Sequence, residues 1–564
     1  MMELFGGKTR TALAAAAALM FAVYVIPRAL NAVVPPDLLF LPVLLFFSFY
    51  RMLIAYALSL VFSLAYGYYA ATNEGLSRIL LPALDVLQSV PILGFFPAAV
   101  FVLINTFQGS SIGIELAAIF LIFTSMAWNM TFGVYESITA IPRELRYAVG
   151  SFGMKRFRNF KALHLPACIP KLVYNSTVSW ANGWYFLIAS EIISLGSARH
   201  TLPGIGSYLV ETTARGDIPH ALAGFGLLVL LILGMEFLPW RPLSVWSEKF
   251  RYDSVSGARP SSRVYRYVKW SPFFIGARKG ISSWFEAVTD DLESVADWLD
   301  AASKEGKYRL TFRAVKFGAA ALAVVVVGGI VFEVAKLAAS FFLEPLPEKA
   351  YLIPAALAAS FAKLLVAYAI SLLWILPTVA LMAKRSALES KLMPFFEVVA
   401  AIPTTALFPF MALVAVGLAG DFTLATIVLI LTGMQWYLLF NALAGARSLP
   451  KDMNEVARAF RIDGSLYWRK VLVPAMVPSL ITGSVTAFGG GWNILVVAEY
   501  LEYGDRTFTS FGIGQLLSEA TYKLGDMRLI ALTLIGMVSV IFVINHFVWR
   551  RLYSWASRRF AVDY

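Results

Sequence analysis

The stretch EVARAFRIDGSLYWRKVLVPAMVPSL, Glu455 to Leu480, decides how this chain is built. It is the wettest and most basic piece of an otherwise oily half-chain, and it closes on a Val-Pro step. The helix-friendly run Asp452–Phe460 leads into RIDG, a turn signal that contains Asp463 and Gly464. A second short helical piece reaches Pro474, where an apolar run begins. The same plan stands earlier in the chain, in PRELRYAVGSFGMKRFRNFKALHLPACIP, Pro142 to Pro170. One such segment alone reads as a solvated connector. Two matching copies read as a pair of docking points for a two-fold symmetric partner.

Outward from these segments the whole chain repeats. With the second half slid back by 308 residues, Pro142 falls on Pro450, Pro166 on Pro474 and Pro170 on Pro478. Trp128 meets Trp436, Trp184 meets Trp492, Glu191 meets Glu499, and GIGSYL from Gly204 meets GIGQLL from Gly512. Upstream, a slide of 312 residues pairs AYALSL from Ala55 with AYAISL from Ala367, Arg51 with Lys363, and Pro82, Pro91 and Pro97 with Pro394, Pro403 and Pro409. Proline, tryptophan and glutamate are rare inside membrane spans, so their alignment marks an internal repeat, a common transporter plan.

Of the 564 residues 59% are hydrophobic and 15% charged, against roughly 25% charged in a soluble domain. Twelve apolar runs are long enough to span a bilayer, near 11–34, 48–71, 82–106, 112–139, 168–195, 220–240, 314–343, 360–383, 394–419, 422–446, 476–500 and 527–549. They are helical in length and too long for barrel strands. The first is longer than a signal-peptide core and lacks a small-residue cleavage site, so it counts as a span. The expectation is an all-α integral membrane protein with twelve transmembrane helices in two tandem six-helix repeats. An even number of spans per half inserts both halves in the same direction, which puts the pseudo-two-fold axis along the membrane normal. The domains are then 1–240, a linker at 241–312, and 313–564.

Charge sets orientation. Residues 141–165 carry six Lys/Arg against one acid, and 447–473 six against three, whereas 501–526 carry two against four. Basic loops stay inside, so both termini are expected in the cytoplasm of a multi-pass plasma-membrane protein. The net charge of +12 reflects this bias rather than nucleic acid as a partner. The linker is basic at first; WFEAVTDDLESVADWL then places Trp284, Val288, Leu292, Val295 and Leu299 on one helical face and acids on the other, a tether with one packed helix. The one cysteine, Cys168, excludes an internal disulfide, and the four scattered histidines hold no metal-ligand spacing, so neither a metal site nor a catalytic residue is expected.

The twin loops look like the EAA loops of ABC importer permeases, whose pattern runs E-A-A, then G, then I-x-L-P. In the second copy Glu455, Val456 and Ala457 fall on E-A-A, and Val471, Val473 and Pro474 on I-x-L-P. In the first, Gly153 falls on the Gly, and Leu163, Leu165 and Pro166 on I-x-L-P. Tyr147, followed by Ala148, stands where the first copy should have Glu, and Arg461 where the second should have Gly, so the two copies are expected to dock unequally. The resemblance extends to the nitrate/sulfonate/taurine/bicarbonate type through SFYRML and SFAKLL, through LPALDVLQSVPILGFFP and MPFFEVVAAIPTTALFP, and through GWNILVVAEYL followed by GIGQLL. It implies a permease subunit coupled to two copies of a cytoplasmic ATP-binding subunit and fed by an extracellular substrate-binding protein, with a small anion as cargo. No G-x-x-x-x-G-K-[ST] motif occurs, so ATP and Mg²⁺ belong to the partner subunits, and this chain holds no cofactor. An ion-gradient-driven secondary transporter is the alternative, but it leaves the twin loops without a use.

Candidate path residues are Asn182, Trp184, Trp492 and Asn493, mid-membrane on spans expected to face the axis; helix packing is the other reading. Glu191 and Glu499 either line the path or pin the outer loop that follows them through backbone hydrogen bonds, and pinning is favoured because bare carboxylates repel an anion. Arg51 and Lys363, at the outer ends of their spans, either attract an anion or snorkel to headgroups, with snorkelling favoured.

Overall fold

The computed structural model describes residues 40–89, 110–152, 156–195, 198–250, 345–384, 386–408, 422–447, 451–462, 464–503 and 506–560, with single positions at 92, 103, 107, 410, 411 and 449. In the first half α1 (Leu41–Thr72) and α2 (Glu74–Ser89) are followed by α3 (Ser111–Thr139), the short α4 (Arg143–Ser151) and α5 (Leu165–Glu191). A two-stranded antiparallel hairpin comes next, β1 (Ile192–Leu195) and β2 (Ala198–Thr201), with Ile192 opposite Thr201, and then α6 (Ile205–Ala214) and α7 (Ile218–Met235). The second half repeats the order: α8 (Ile353–Lys384), α9 (Ser386–Ala400), α10 (Phe422–Arg447), the short α11 (Lys451–Ala459), α12 (Val473–Ala498), β3 (Tyr500–Tyr503), β4 (Arg506–Thr509), α13 (Ile513–Glu519), α14 (Met527–Ile544) and the C-terminal α15 (Arg550–Phe560).

Seven of these helices, α1, α3, α7, α8, α10, α12 and α14 with their helical extensions, are long and apolar enough to cross a membrane. The run expected at 168–195 forms α5, a 27-residue helix made more polar than its counterpart by Lys171, Asn175 and Asn182. The runs expected at 82–106 and 394–419 start within α2 and α9, each with its aligned proline inside the helix, and continue into stretches largely outside the described residues. The runs at 11–34 and 314–343 and the linker from 251 onward, with its five-residue apolar face, lie outside them altogether.

Two local details go beyond the sequence reading. The described residues are almost wholly helical, as expected, but include two short hairpins; in the first, the β-branched Ile192 and Ile193 leave the helix at Glu191, whose carbonyl then accepts from Leu202 N–H at 2.9 Å. Helix also runs past residue 240. Pro239 is absorbed in a π turn at Glu236–Trp240, and helix continues through Arg241–Ser247 to Phe250. A π turn accepts proline because the extra residue relieves the clash between the ring and the preceding turn. Trp240 is buried there in ring contact with Trp180 and Tyr56.

Helices α1, α3 and α5 pack together, as do α8, α10 and α12. The same close approach occurs in both groups. A Cβ on Gly183 would run into Met126 and Met52; one on Gly491 would stand 2.6 Å from Leu364 Cδ2 and 2.8 Å from Met434 Sδ. At both positions the missing side chain leaves room for side chains of the two neighbouring helices, Met126 with Met52 and Met434 with Leu364, and small residues of this kind are how membrane helices pack. The larger apolar core joins the halves: Ile92, Leu121 and Phe186 pack with Leu438, Phe488 and Trp492.

Candidate functional site

Three features repeat between the halves: a buried charge cluster, a short exposed helix, and a wall of a shared cavity. In the cluster of the first half, Glu191 Oε1 accepts from Ser48 Oγ (2.5 Å) and Arg51 Nη1 (3.0 Å), and its Oε2 accepts from Gly206 N–H (2.6 Å). Ser48 Oγ also accepts from Ile205 N–H at 2.9 Å, and Arg51 Nη1 donates to Pro203 O at 2.8 Å. In the second half Glu499 Oε1 accepts from Ser360 Oγ (2.7 Å) and Lys363 Nζ (2.7 Å), and Oε2 from Gly514 N–H (2.7 Å). Ile513 N–H donates to Ser360 Oγ at 2.9 Å, and Lys363 Nζ to Phe511 O at 2.7 Å. Each cluster ties the start of one long helix to the end of another and to the loop after the hairpin.

Arg51 and Glu191 are 0% exposed, as is Glu499, and Lys363 is 6% exposed. Arg51 therefore does not snorkel; its guanidinium turns inward because Glu115 takes it in a two-pronged pair, Nε to Oε2 and Nη2 to Oε1, both 2.8 Å. Lys363 likewise turns inward. Among the described residues its carboxylate partner is Glu499, and it donates also to Ser510 Oγ and Phe511 O. Among the described residues the clusters thus differ in charge: two acids on one cation in the first, one on one in the second. Sequence reasoning missed Glu115 because the repeat places Thr423 opposite it.

The twin loops form α4 and α11. Tyr147 and Phe152 are 74% and 78% exposed, and Phe460 is 73% exposed. Met453, Val456 and Glu455 are also exposed, whereas Ala457 is buried. Arg146 donates to the carbonyls of Ile138 (2.8 Å) and Thr139 (2.9 Å), fastening α4 to the end of α3. Each short helix is followed by a π turn, Phe160–His164 or Trp468–Leu472, that opens into the next long helix at Pro166 or Pro474. His164 is buried in this turn against Tyr68, and burial together with the Arg146 charge lowers its pKa. Ala148 is exposed on α4; Gly153 and Asp463 lie outside the described residues. Arg461, at the aligned position, has φ 52°, and Gly464 has φ 52°. The left-handed region costs a side-chain-bearing residue about 1 kcal/mol or more. Arg461→Gly is expected to leave the fold intact and raise stability by up to about 1 kcal/mol after allowing for glycine's larger unfolded-state entropy; a higher midpoint of thermal unfolding in scanning calorimetry of the purified chain reads it.

Between the halves lies a cavity of about 1180 Å³. Trp128, Asn129, Asn182 and Tyr185 line it from α3 and α5, and Trp436, Tyr437, Trp492 and Asn493 from α10 and α12. On the side of the charge clusters the halves touch: Tyr185 Oη donates to Asn493 O (3.4 Å), Thr405 Oγ1 to Tyr185 O (2.9 Å), and Ile92 N–H to Asn493 Oδ1 (2.8 Å). On the side of α4 and α11 the lining reaches Glu236, Arg241, Glu397 and Arg447. Arg241 pairs with Glu236 (3.8 Å) and, across the halves, with Glu397 (3.5 Å); Arg447 Nε donates to Glu389 at 2.6 Å. Of the eight residues proposed for a path, Asn182, Trp492 and Asn493 line this cavity. Trp184 lies buried in the first half's core, and Arg51, Lys363, Glu191 and Glu499 lie in the clusters. Trp128, Asn129, Tyr185, Trp436 and Tyr437 were not singled out as lining, although the Trp128–Trp436 alignment marked two of them.

Among the described residues no group of histidine, cysteine or acidic side chains could hold a metal ion. The family model of the binding-protein-dependent transport system inner membrane component matches the chain twice, at residues 63–238 and 375–560. Similar proteins include the nitrate import permease protein NrtB of Leptolyngbya laminosa, 31% identical over 150 residues, which are 26% of this chain and 50% of that protein. The bicarbonate transport system permease protein CmpB of Synechococcus elongatus is 32% identical over 134 residues, 24% of this chain and 44% of the relative. These alignments span about half the length of the curated relatives or less. With two matches that together cover more than half of its length, the chain belongs to the binding-protein-dependent transport system inner membrane component family and carries two copies of that permease component in one polypeptide.

Proposed function

We propose that this chain is the membrane subunit of an ATP-driven importer: it forms the translocation path and couples it to two cytoplasmic ATP-binding subunits. One half comprises residues 1–240 with its helix running on to Phe250, the other 313–564, and the segment between them is a cytoplasmic tether. The halves are related by a two-fold along the membrane normal, and both termini are cytoplasmic. An external binding protein delivers the solute. ATP and Mg²⁺ are held by the partner subunits, and this chain performs no chemistry of its own.

The observation that carries this reading is the pair of short helices α4 and α11, which expose large apolar side chains at the same place in each half. Each is tied to the long helices on either side, α4 through the Arg146 bonds and both through the proline-led π turns. A partner that closes as a dimer moves both helices at once and tilts the halves about the cavity, a rigid-body switch. The cavity reaches the side of α4 and α11 while Tyr185 and Asn493 join the halves on the other, which, with α4 and α11 on the cytoplasmic side, supports an inward-facing state. The gradient-driven alternative needs a titratable acid free in the membrane. The two acids buried among the described residues, Glu191 and Glu499, are both bound to cations.

The test is co-purification from native membranes followed by reconstitution. A companion ATPase at two copies per chain is expected. Glu455→Lys with Phe460→Ala is expected to lower solute-stimulated ATP hydrolysis at least tenfold while leaving the chain folded. Uptake by the chain with no nucleotide-hydrolysing companion would overturn the proposal.

A further inference from the structure

The cavity between the halves is not two-fold symmetric in chemistry. The repeat brings Asn129 of the first half onto Tyr437 of the second, and Asn182 onto Gly490. All four line the cavity. Gly490 leaves room for the Tyr437 ring: a Cβ there would stand 3.0 Å from Tyr437 Cε2. At these two positions one wall presents carboxamides where the other presents the Tyr437 ring beside Gly490; aromatic residues line both walls, Trp128 and Tyr185 on the first and Trp436 and Trp492 on the second. Two separate copies of one chain would place the same residue on both walls; fusion of the halves lets them differ.

The carboxamides are unengaged. Asn493 is occupied, accepting from Ile92 N–H and donating to Gly489 O at 3.1 Å, but neither Asn129 nor Asn182 forms a hydrogen bond among the described residues. A partly buried amide without partners is matched by a solute that can both donate and accept. Charge selects further. The cations among the described lining residues, Arg241 and Arg447, are paired with Glu236, Glu397 and Glu389 at the end near α4 and α11. Residues 90–109 and 412–421, which adjoin lining segments in sequence, contain no Lys or Arg. Among the described lining residues an oxyanion meets no unpaired countercharge, and the aromatic faces present their negative quadrupole to it.

We infer that the cavity is built for a neutral, planar, hydrogen-bonding solute, a small heteroaromatic compound with an amide-like edge, which stacks on Tyr437 and is read at its edge by Asn129 and Asn182. This rests on the cavity being the translocation path. It departs from the oxyanion cargo that the names of the nitrate and bicarbonate permeases suggest.

The test is equilibrium binding to the full chain in lipid nanodiscs, with uracil, cytosine and nicotinamide as neutral planar probes and sodium nitrate and sodium bicarbonate as oxyanions. At least one planar probe is expected to bind saturably at one site per chain. Asn129→Ala with Asn182→Ala, and separately Tyr437→Leu, are expected to weaken it at least tenfold, and Asn182→Gln to retain most of the binding, which separates edge recognition from misfolding. Saturable nitrate or bicarbonate binding that the same substitutions remove overturns the inference, and so does failure of all three planar probes to bind. Binding needs no ATPase, so this outcome is independent of whether a companion subunit is found.

Discussion

Glu499→Ala is expected to destabilise the chain by about 3–5 kcal/mol, the cost of breaking a buried ion pair from one side. Among the described residues the substitution leaves the Lys363 ammonium, 6% exposed, with Ser510 Oγ and Phe511 O, and it frees the N–H of Gly514. Glu191→Ala is expected to be milder, about 1.5–3 kcal/mol, the range for hydrogen bonds to a charged group. Arg51 then keeps the two-pronged bond to Glu115, so its charge stays compensated. Thermal unfolding of the two variants in the same detergent, followed by tryptophan fluorescence, should place Glu499→Ala clearly below Glu191→Ala. Equal midpoints would mean that Glu115 does not compensate Arg51.

Gly512→Ala has the second largest expected effect. The backbone there is extended, φ 172°, so any residue can adopt it and only space forbids a side chain. The three atoms nearest the new Cβ would be the carboxylate of Glu499, at less than van der Waals separation. That carboxylate is held by Ser360, Lys363 and Gly514 and cannot swing away without breaking those bonds. Overpacking costs about 1–3 kcal/mol, and here partial loss of the ion pair adds to it. The double variant Glu499→Ala/Gly512→Ala should be less damaging than the sum of the singles, because the first change vacates the space the second needs. Additive losses would show that Gly512 acts through something other than the Glu499 carboxylate.

How far the fold was legible depended on the range of the interaction. The repeat stood out because proline, tryptophan and glutamate are rare in apolar spans, and the structure makes the same contacts twice, down to Tyr56 with Ser176 and Tyr368 with Ser484. The hairpins were missed because a four-residue strand at the end of an apolar run carries too few alternations to stand apart from the helix before it. Arg51 was misread as a headgroup anchor because a basic residue at a span start looks the same either way; its partners lie 64 and 140 residues along the chain. Trp184 was placed on the path by its mid-membrane position, yet one helical step decides between cavity and core. Tyr185 lines the cavity, and Trp184 packs into the first half's core.

By itself, then, the sequence determined the apolar helices among the described residues, their duplication and the two exposed short helices, because each is a local pattern of hydrophobicity, charge and turn residues. Only the tertiary structure decided which acid holds which cation, which helix faces line the cavity, and that its two walls differ in chemistry. Those outcomes depend on contacts between residues far apart in the chain, whose geometry is fixed only once the helices have packed.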